Sequence, residues 1–257
     1  MIKIKDLKDA YWLTVGGLKE LSREPLSLFG LLLFPVISLI AFGTIFNQGT
    51  ISIGGIEATH ISIIIAGYLP LMLMFTNLMI VPLRITEDKE RGRIELLMST
   101  PLSRFSYLLS MALTGGLWGI SLGAITIAIG VFLLGAKIVV DFTVLLLLNV
   151  LTVSSLSGIG FLAASYAKTP REAGIIVQPL SFIMMFFSPI FYSKEMAPWY
   201  VNIVSKFLPL TYSVEAFRKS MLLGASVWDM IPEILILSAI SLVTFAIGVK
   251  FFKWYQE

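Results

Sequence analysis

Few residues in this chain could carry covalent chemistry. It has 257 residues with one histidine, His60, and no cysteine, so disulfides, thiolate nucleophiles and cysteine metal sites are excluded. A single histidine among scattered carboxylates makes a poor metal site. The stretch Gly224-Ala225-Ser226-Val227 puts a serine in a Gly-x-Ser-x context, and such a hydroxyl could serve acyl transfer if a general base lay within hydrogen-bond reach. His60 belongs to a different, earlier loop, so no serine protease is read here. No GxxxxGK[ST] run occurs, which removes ATP binding through a phosphate-binding loop.

What remains is electrostatic. Residues 85–107 read "ITEDKERGRIELLMSTPLSRFSY", eight charges between two long apolar runs. The surrounding chain is 57% hydrophobic and only 14% charged, with mean hydropathy +0.89. Soluble domains carry about 25% charged residues, so the expected fold class is an all-α polytopic membrane protein. Six apolar runs are long enough to cross, at about 26–46, 61–83, 105–134, 143–167, 173–193 and 231–249. They form a single transmembrane domain over residues 1–257. The first run, starting near Pro25, is too long for a signal h-region, so no cleaved leader is expected.

Charge placement sets the orientation. Segments 1–25, 84–104, 168–171 and 250–257 hold 14 of the 19 Lys and Arg residues. The positive-inside rule then predicts both termini in the cytoplasm.

The elements that would position the charged stretch follow from caps and periodicity. Residues 3–23 repeat Leu7, Tyr11, Thr14/Val15, Leu18 and Leu21 at helical spacing among basic residues, the pattern of an interfacial amphipathic helix. Within the charged stretch, Thr86 is expected to cap a helix opening with Glu87, Asp88 and Lys89. Ile94, Leu97 and Met98 give that helix an apolar side, and Thr100-Pro101 is expected to launch the next span. In "KTPREAG", Thr169 is an N-cap, Pro170 the first helical residue and Glu172 the partner in a capping box. Between the last two spans, Tyr200, Ile203/Val204 and Phe207/Leu208 form one apolar stripe. Val214, Phe217 and Met221 form another, capped by Thr211 and stopped by Gly224. Two short helices broken by Pro209 predict a re-entrant outer hairpin, with Pro209 and Tyr212 at its corner over the exit.

The spans contain no Asp, Glu, Lys, Arg or His between their ends, Glu172 and Glu233 being at interfaces, whereas ion-driven carriers need such groups at membrane depth. Their polar residues are amides and hydroxyls, among them Asn77, Asn149, Gln178 and the Thr152–Ser157 cluster, suited to bonds between helices. A channel is disfavoured for want of charged or carbonyl-lined rings.

The stretch "EDKERGRIELLMSTPLSR" resembles the E-x-x-x-G-T-x-E-x-L-x-x-T-P-L-S-R signature of type-2 ABC exporter permeases, the drug-resistance, nodulation and lipid-linked glycan efflux proteins. A second match is "FFSPIFYSKEMAPWYVNIVSKFLPLTYSVEAFRKSMLLG" at 186–224, with its Ser-Pro, Leu-Pro-Leu-Thr-Tyr and Glu-Ala-Phe-Arg elements. Arg93 departs from the pattern, which usually has threonine there. The resemblance covers the whole chain. It implies a half-transporter in the cell membrane, in which two permease copies, a homodimer or less readily a heterodimer, act with a separate ATPase subunit. ATP and magnesium would sit on that subunit, and this chain would hold no cofactor and be no enzyme. Carried over, Glu87, Glu90, Arg91, Gly92 and Glu95 would form a coupling helix against the ATPase, with Thr100 and Pro101 at its exit and Thr169 and Arg171 as a second contact. "FIMMFF" at 182–187, with Met184, Phe186 and Phe187, followed by Pro189 and joined by Asn77, suits a pathway for an apolar or amphipathic cargo. A non-transporting scaffold that anchors a partner is the alternative reading.

Overall fold

The computed structural model describes residues 4–23, 33, 35–41, 44, 50–53, 56–192, 194 and 197–252. At its centre is a rod running from His60 to Glu90, and 83% of its most apolar stretch is buried by the rest of the chain. The rod is α2 (His60–Met74), a π-helical turn (Phe75–Ile80) and α3 (Val81–Glu90). Pro82 explains the wide turn. It has no N–H to give, and its ring crowds the preceding carbonyls, so the turn before it opens and the Val81 amide bonds to Thr76 O.

Around the rod lie α1 (Ile4–Ser22), α5 (Arg104–Leu134), α6 (Phe142–Tyr166), α7 (Pro170–Phe187) and α10 (Ile231–Phe251), with α4 (Arg93–Met98) at one end. At the other end sit α8 (Trp199–Ser205) and α9 (Pro209–Leu223). Glycines let the long helices approach closely. A Cβ on Gly119 would lie 2.7 Å from Thr76 Oγ1, and one on Gly123 or Gly130 would collide with Leu69 or Ile65. Between α6 and α10, a Cβ on Gly248 would stand 2.6 Å from Gly158 O. Such seams replace hydrophobic driving force with close van der Waals contact.

Among the described residues, four helical segments are long and apolar enough to cross a membrane: His60–Glu90, Arg104–Leu134, Phe142–Tyr166 and Val227–Phe251. They match four of the expected spans, the first running on beyond residue 83. The expected span at 26–46 falls largely outside the described residues, of which 35–41 are helical. The expected span at 173–193 is α7, which stops at Phe187. Pro189 forces Ser188 into extended backbone (φ −82°, ψ 146°), and Arg171, Glu172 and Gln178 interrupt the apolar character of so short a helix.

The segment before the rod contains an antiparallel hairpin of β1 (Thr50–Ile53) and β2 (Ile56–Thr59), paired Thr50 to Thr59 and Ile53 to Ile56. In α1, Leu7 and Tyr11 are exposed, whereas Ala10 and Thr14 are buried. Small residues allow α1 to pack on α5, with a Gly17 Cβ position only 3.0 Å from Thr114 Oγ1, and Leu7 and Tyr11 face outward together with Trp12.

Candidate functional site

The charged stretch does not form the single helix expected over 87–98. The rod continues through Thr86, which is buried and donates its hydroxyl back to Pro82 O and Leu83 O at 2.9 Å. It therefore bonds within the helix and caps nothing. The break comes later, at Gly92, whose φ of 69° lies in the left-handed region, and α4 follows as a turn and a half. The third span is likewise capped by Ser103, which accepts from the Ser106 amide at 3.1 Å. Thr100 instead donates to Leu97 O at 2.6 Å.

The corner sorts its charges into two sets. One faces inward. Arg84 pairs with Glu20 of α1 at 2.7 Å, and Arg93 reaches both Glu20 at 3.0 Å and Asp88 at 3.3 Å. Tyr107 donates to Asp88 at 2.9 Å, and the Glu20 carboxylate raises the Arg93 guanidinium pKa. Beside them, Lys89 donates to Ala164 O at 2.6 Å and lies 5.3 Å from the centre of the Phe252 ring. The outward set is Glu90, Arg91 and Glu95, all exposed, with Leu96 and Met98 at 71% and 45% exposure between and beyond them. Glu87 is tied to Arg91 at 2.6 Å, a surface pair one helical turn apart. Pro101 is exposed, and Gly92 forms the bend.

The second predicted contact lies at the same end. Thr169 caps α7 by accepting from the Glu172 amide at 3.2 Å. The Glu172 carboxylate accepts from Lys168 N–H at 2.8 Å, one residue before the capping-box position. Arg171 is exposed, and α7 packs against α3. The structure thus gathers the predicted coupling residues on one end of the molecule, although they fall on three separate elements.

The residues read as a pathway are scattered. Asn77 is fully buried in the π-helical turn. It donates to Leu73 O at 3.0 Å and accepts from Ser157 at 3.0 Å, which ties the rod to α6. Met184 is buried, whereas Phe182 and Phe186 stack together, exposed, on the outer side of α7. Phe187 is half-buried and Pro189 buried. Pro209 opens α9, and Tyr212 donates to Lys206 O at 2.8 Å across the corner. Thr211 is not the cap of α9; that residue is Leu208, and the Thr211 hydroxyl donates to Ser188 at 3.2 Å. Val214, Phe217 and Met221 are buried and Gly224 ends the helix, as expected.

Sequence reading missed Arg218. Its buried guanidinium donates to Pro189 O at 2.6 Å and Tyr192 O at 3.3 Å, closing the break after α7. Burial pushes its pKa down to about 10, opposed by Glu215. No local signal points to it, since its acceptors are backbone atoms 26 and 29 residues away. Glu20, Arg84 and Arg93 were missed as a group for the same reason.

A chain of long apolar helices joined by glycine seams, with a charged corner at one end and paired short helices at the other, is a multi-pass membrane protein. Residues 9–222 match the model of the ABC-2 type transporter family, and the chain belongs to that family. It is 26% identical over 223 residues to the transport permease ycf38 of Cyanophora paradoxa, covering 82% of this chain and 75% of that one. It is also 22% identical over 194 residues to the multidrug ABC transporter permease YbhS of Escherichia coli, covering 75% of this chain and about half of that protein's length. The chain is therefore an ABC transporter permease, a membrane subunit of a type that carries no ATPase domain of its own.

Proposed function

We propose that this chain is one half of the membrane pathway of an exporter that moves an apolar or amphipathic substrate outward. ATP is hydrolysed, with magnesium, by a separate ATPase subunit, and a second permease copy completes the pathway. This chain crosses a cell membrane six times, and the clustering of Lys and Arg supports both termini in the cytoplasm. The observation that carries this reading is the corner of α3 and α4. Glu90 is exposed there at the end of a rod whose most apolar stretch is buried, and Glu95, Leu96 and Met98 are exposed on α4 just beyond it. Closure of a docked ATPase would push on the most enclosed helix of the fold, and the rod would carry that push to α9 and the outer end. The exposed side of α7 supports the second copy. Gln178 and Pro179 are exposed in mid-helix beside Phe182 and Phe186, and a bare amide facing hydrocarbon is costly. The outer helices would seal the exit.

The test is ATP turnover in liposomes. The purified permease alone is expected to hydrolyse no ATP, and a co-isolated ATPase should respond to substrate. Turnover by the permease alone, or its isolation from native membranes without any ATPase, would contradict the proposal.

A further inference from the structure

The outward side of α1 is basic. Lys5, Lys8, Lys19 and Arg23 are exposed, and at about 100° per residue they fall within an arc of about 60°. Trp12 stands among them, 70% exposed. Among the described residues, none of the four forms an ion pair. Ala10, Thr14 and Gly17, which pack toward α5, occupy the opposite side. The two flanks of the basic row differ. On one lie Leu7 and Tyr11, exposed, with Val15 and Leu18 half-buried. On the other lie the acids: Asp6 accepts from Ser106 at 3.3 Å, Glu20 holds Arg84 and Arg93, and Asp9 is half-buried.

This order around the helix fits a lipid surface. An exposed apolar edge beside a basic row is the pattern of a helix lying in the membrane interface, its edge toward the acyl chains and its cations at headgroup level. Trp12 is a residue type that favours the same depth. Two of the three acids are turned to the protein, so the row keeps a net positive charge. Only a few residues separate Ser22, the end of α1, from the expected first span at about 26, which tethers the row beside the bilayer. A protein partner fits less well. One that receives the exposed Glu90 and Glu95 of the corner presents cations, the wrong sign for this row.

We propose that the outward side of α1 binds anionic phospholipid, with headgroup phosphates of the leaflet it borders lying along Lys5, Lys8, Lys19 and Arg23. A zwitterionic phospholipid, whose ammonium offsets its phosphate, gains little from such a row. The binding presupposes the six-span placement proposed above, which sets α1 at the membrane surface. It needs no ATPase, so the permease alone suffices to test it.

The chain has no cysteine, so Tyr11→Cys can carry a single dansyl label on the apolar edge without touching the basic row. The labelled full-length permease would be reconstituted in phosphatidylcholine liposomes doped with a small, equal fraction of phosphatidylglycerol or phosphatidylcholine, each bearing a nitroxide on its acyl chain. Quenching by the anionic lipid is expected to be about fivefold stronger, the value of one basic residue at an anionic surface. The preference should vanish in about 1 M salt, where screening acts over about 3 Å. It should also vanish when Lys5, Lys8, Lys19 and Arg23 are all replaced by Gln, in a protein that melts as before. Equal quenching by the two lipids would overturn the proposal and leave the six-span placement standing. No quenching by either would overturn it by putting α1 away from the bilayer. A preference that survives the four substitutions would also overturn it, and loss of a co-isolated ATPase from that variant would then make the row a protein contact.

Discussion

Arg84 and Arg93 share one carboxylate, Glu20, yet they stand in different surroundings. The Arg84 side chain is 18% exposed and that of Arg93 is 45% exposed. An exposed ion pair contributes little, under about 1 kcal/mol, whereas the more enclosed Arg84 makes a charge-assisted hydrogen bond that water screens less. Arg93→Thr, which installs the residue usual in the resembling permeases, should lower stability by about 0.5 kcal/mol. Arg84→Met should cost about 2 kcal/mol. Thermal unfolding of both variants in one detergent checks this, and equal losses would contradict it. At this scale only the short-range pairs are legible in the sequence. Glu87 and Arg91 stand one helical turn apart and can be matched by counting, whereas Glu20 and Arg93 are separated by 73 residues and meet only once α1 has docked.

The helices were largely legible because apolar run length and glycine stops are local. Gly92, Gly135 and Gly224 each take positive φ where an element ends or turns. Thr86, Thr100 and Thr211 misled, while Thr169 did not, because one side chain serves two purposes. A hydroxyl can cap the next turn or bond back to the carbonyl four residues earlier, and Thr86 does the latter. The hairpin had a signal that was overlooked: "ISIGGIEAT" is a Gly-Gly dipeptide between alternating apolar residues. What could not be read was which glycines hold helices together. Gly158→Ala would drive its Cβ into the Thr244 backbone, where no side chain can yield. It should cost about 3 kcal/mol and reduce the yield of folded protein. Gly16→Ala, facing open space, should be neutral or slightly stabilising. Size-exclusion profiles after mild heating distinguish the two, and a stable Gly158→Ala would disprove the seam.

Across the whole molecule, the segments richest in Lys and Arg converge on one end. The end of α3, α4, the start of α5, the 168–172 loop and Phe252 at the end of α10 lie there together with α1. Tyr11 and Trp12 are exposed on α1, and Trp199, Tyr200 and Trp228 on the outer elements, as two interfacial aromatic belts would be. A cysteine replacing Lys137 should therefore label from outside intact cells, and one replacing Lys168 only after permeabilisation. The reverse pattern would invert the proposed orientation.

The corner of α3 and α4 decides whether that end is a docking surface. Glu90 and Glu95 are exposed, so in a corner that meets only water, reversing either charge should change stability by well under about 1 kcal/mol. Against a bound partner the same reversal sets like charges together and can cost several kcal/mol. The direct measurement is the amount of ATPase subunit retained on Glu90→Lys and Glu95→Lys permease after purification, with melting temperature as control. Loss of the ATPase from a permease that melts normally is the predicted result. Full retention with unaltered substrate-stimulated turnover in both variants would show that the corner is an ordinary solvated turn.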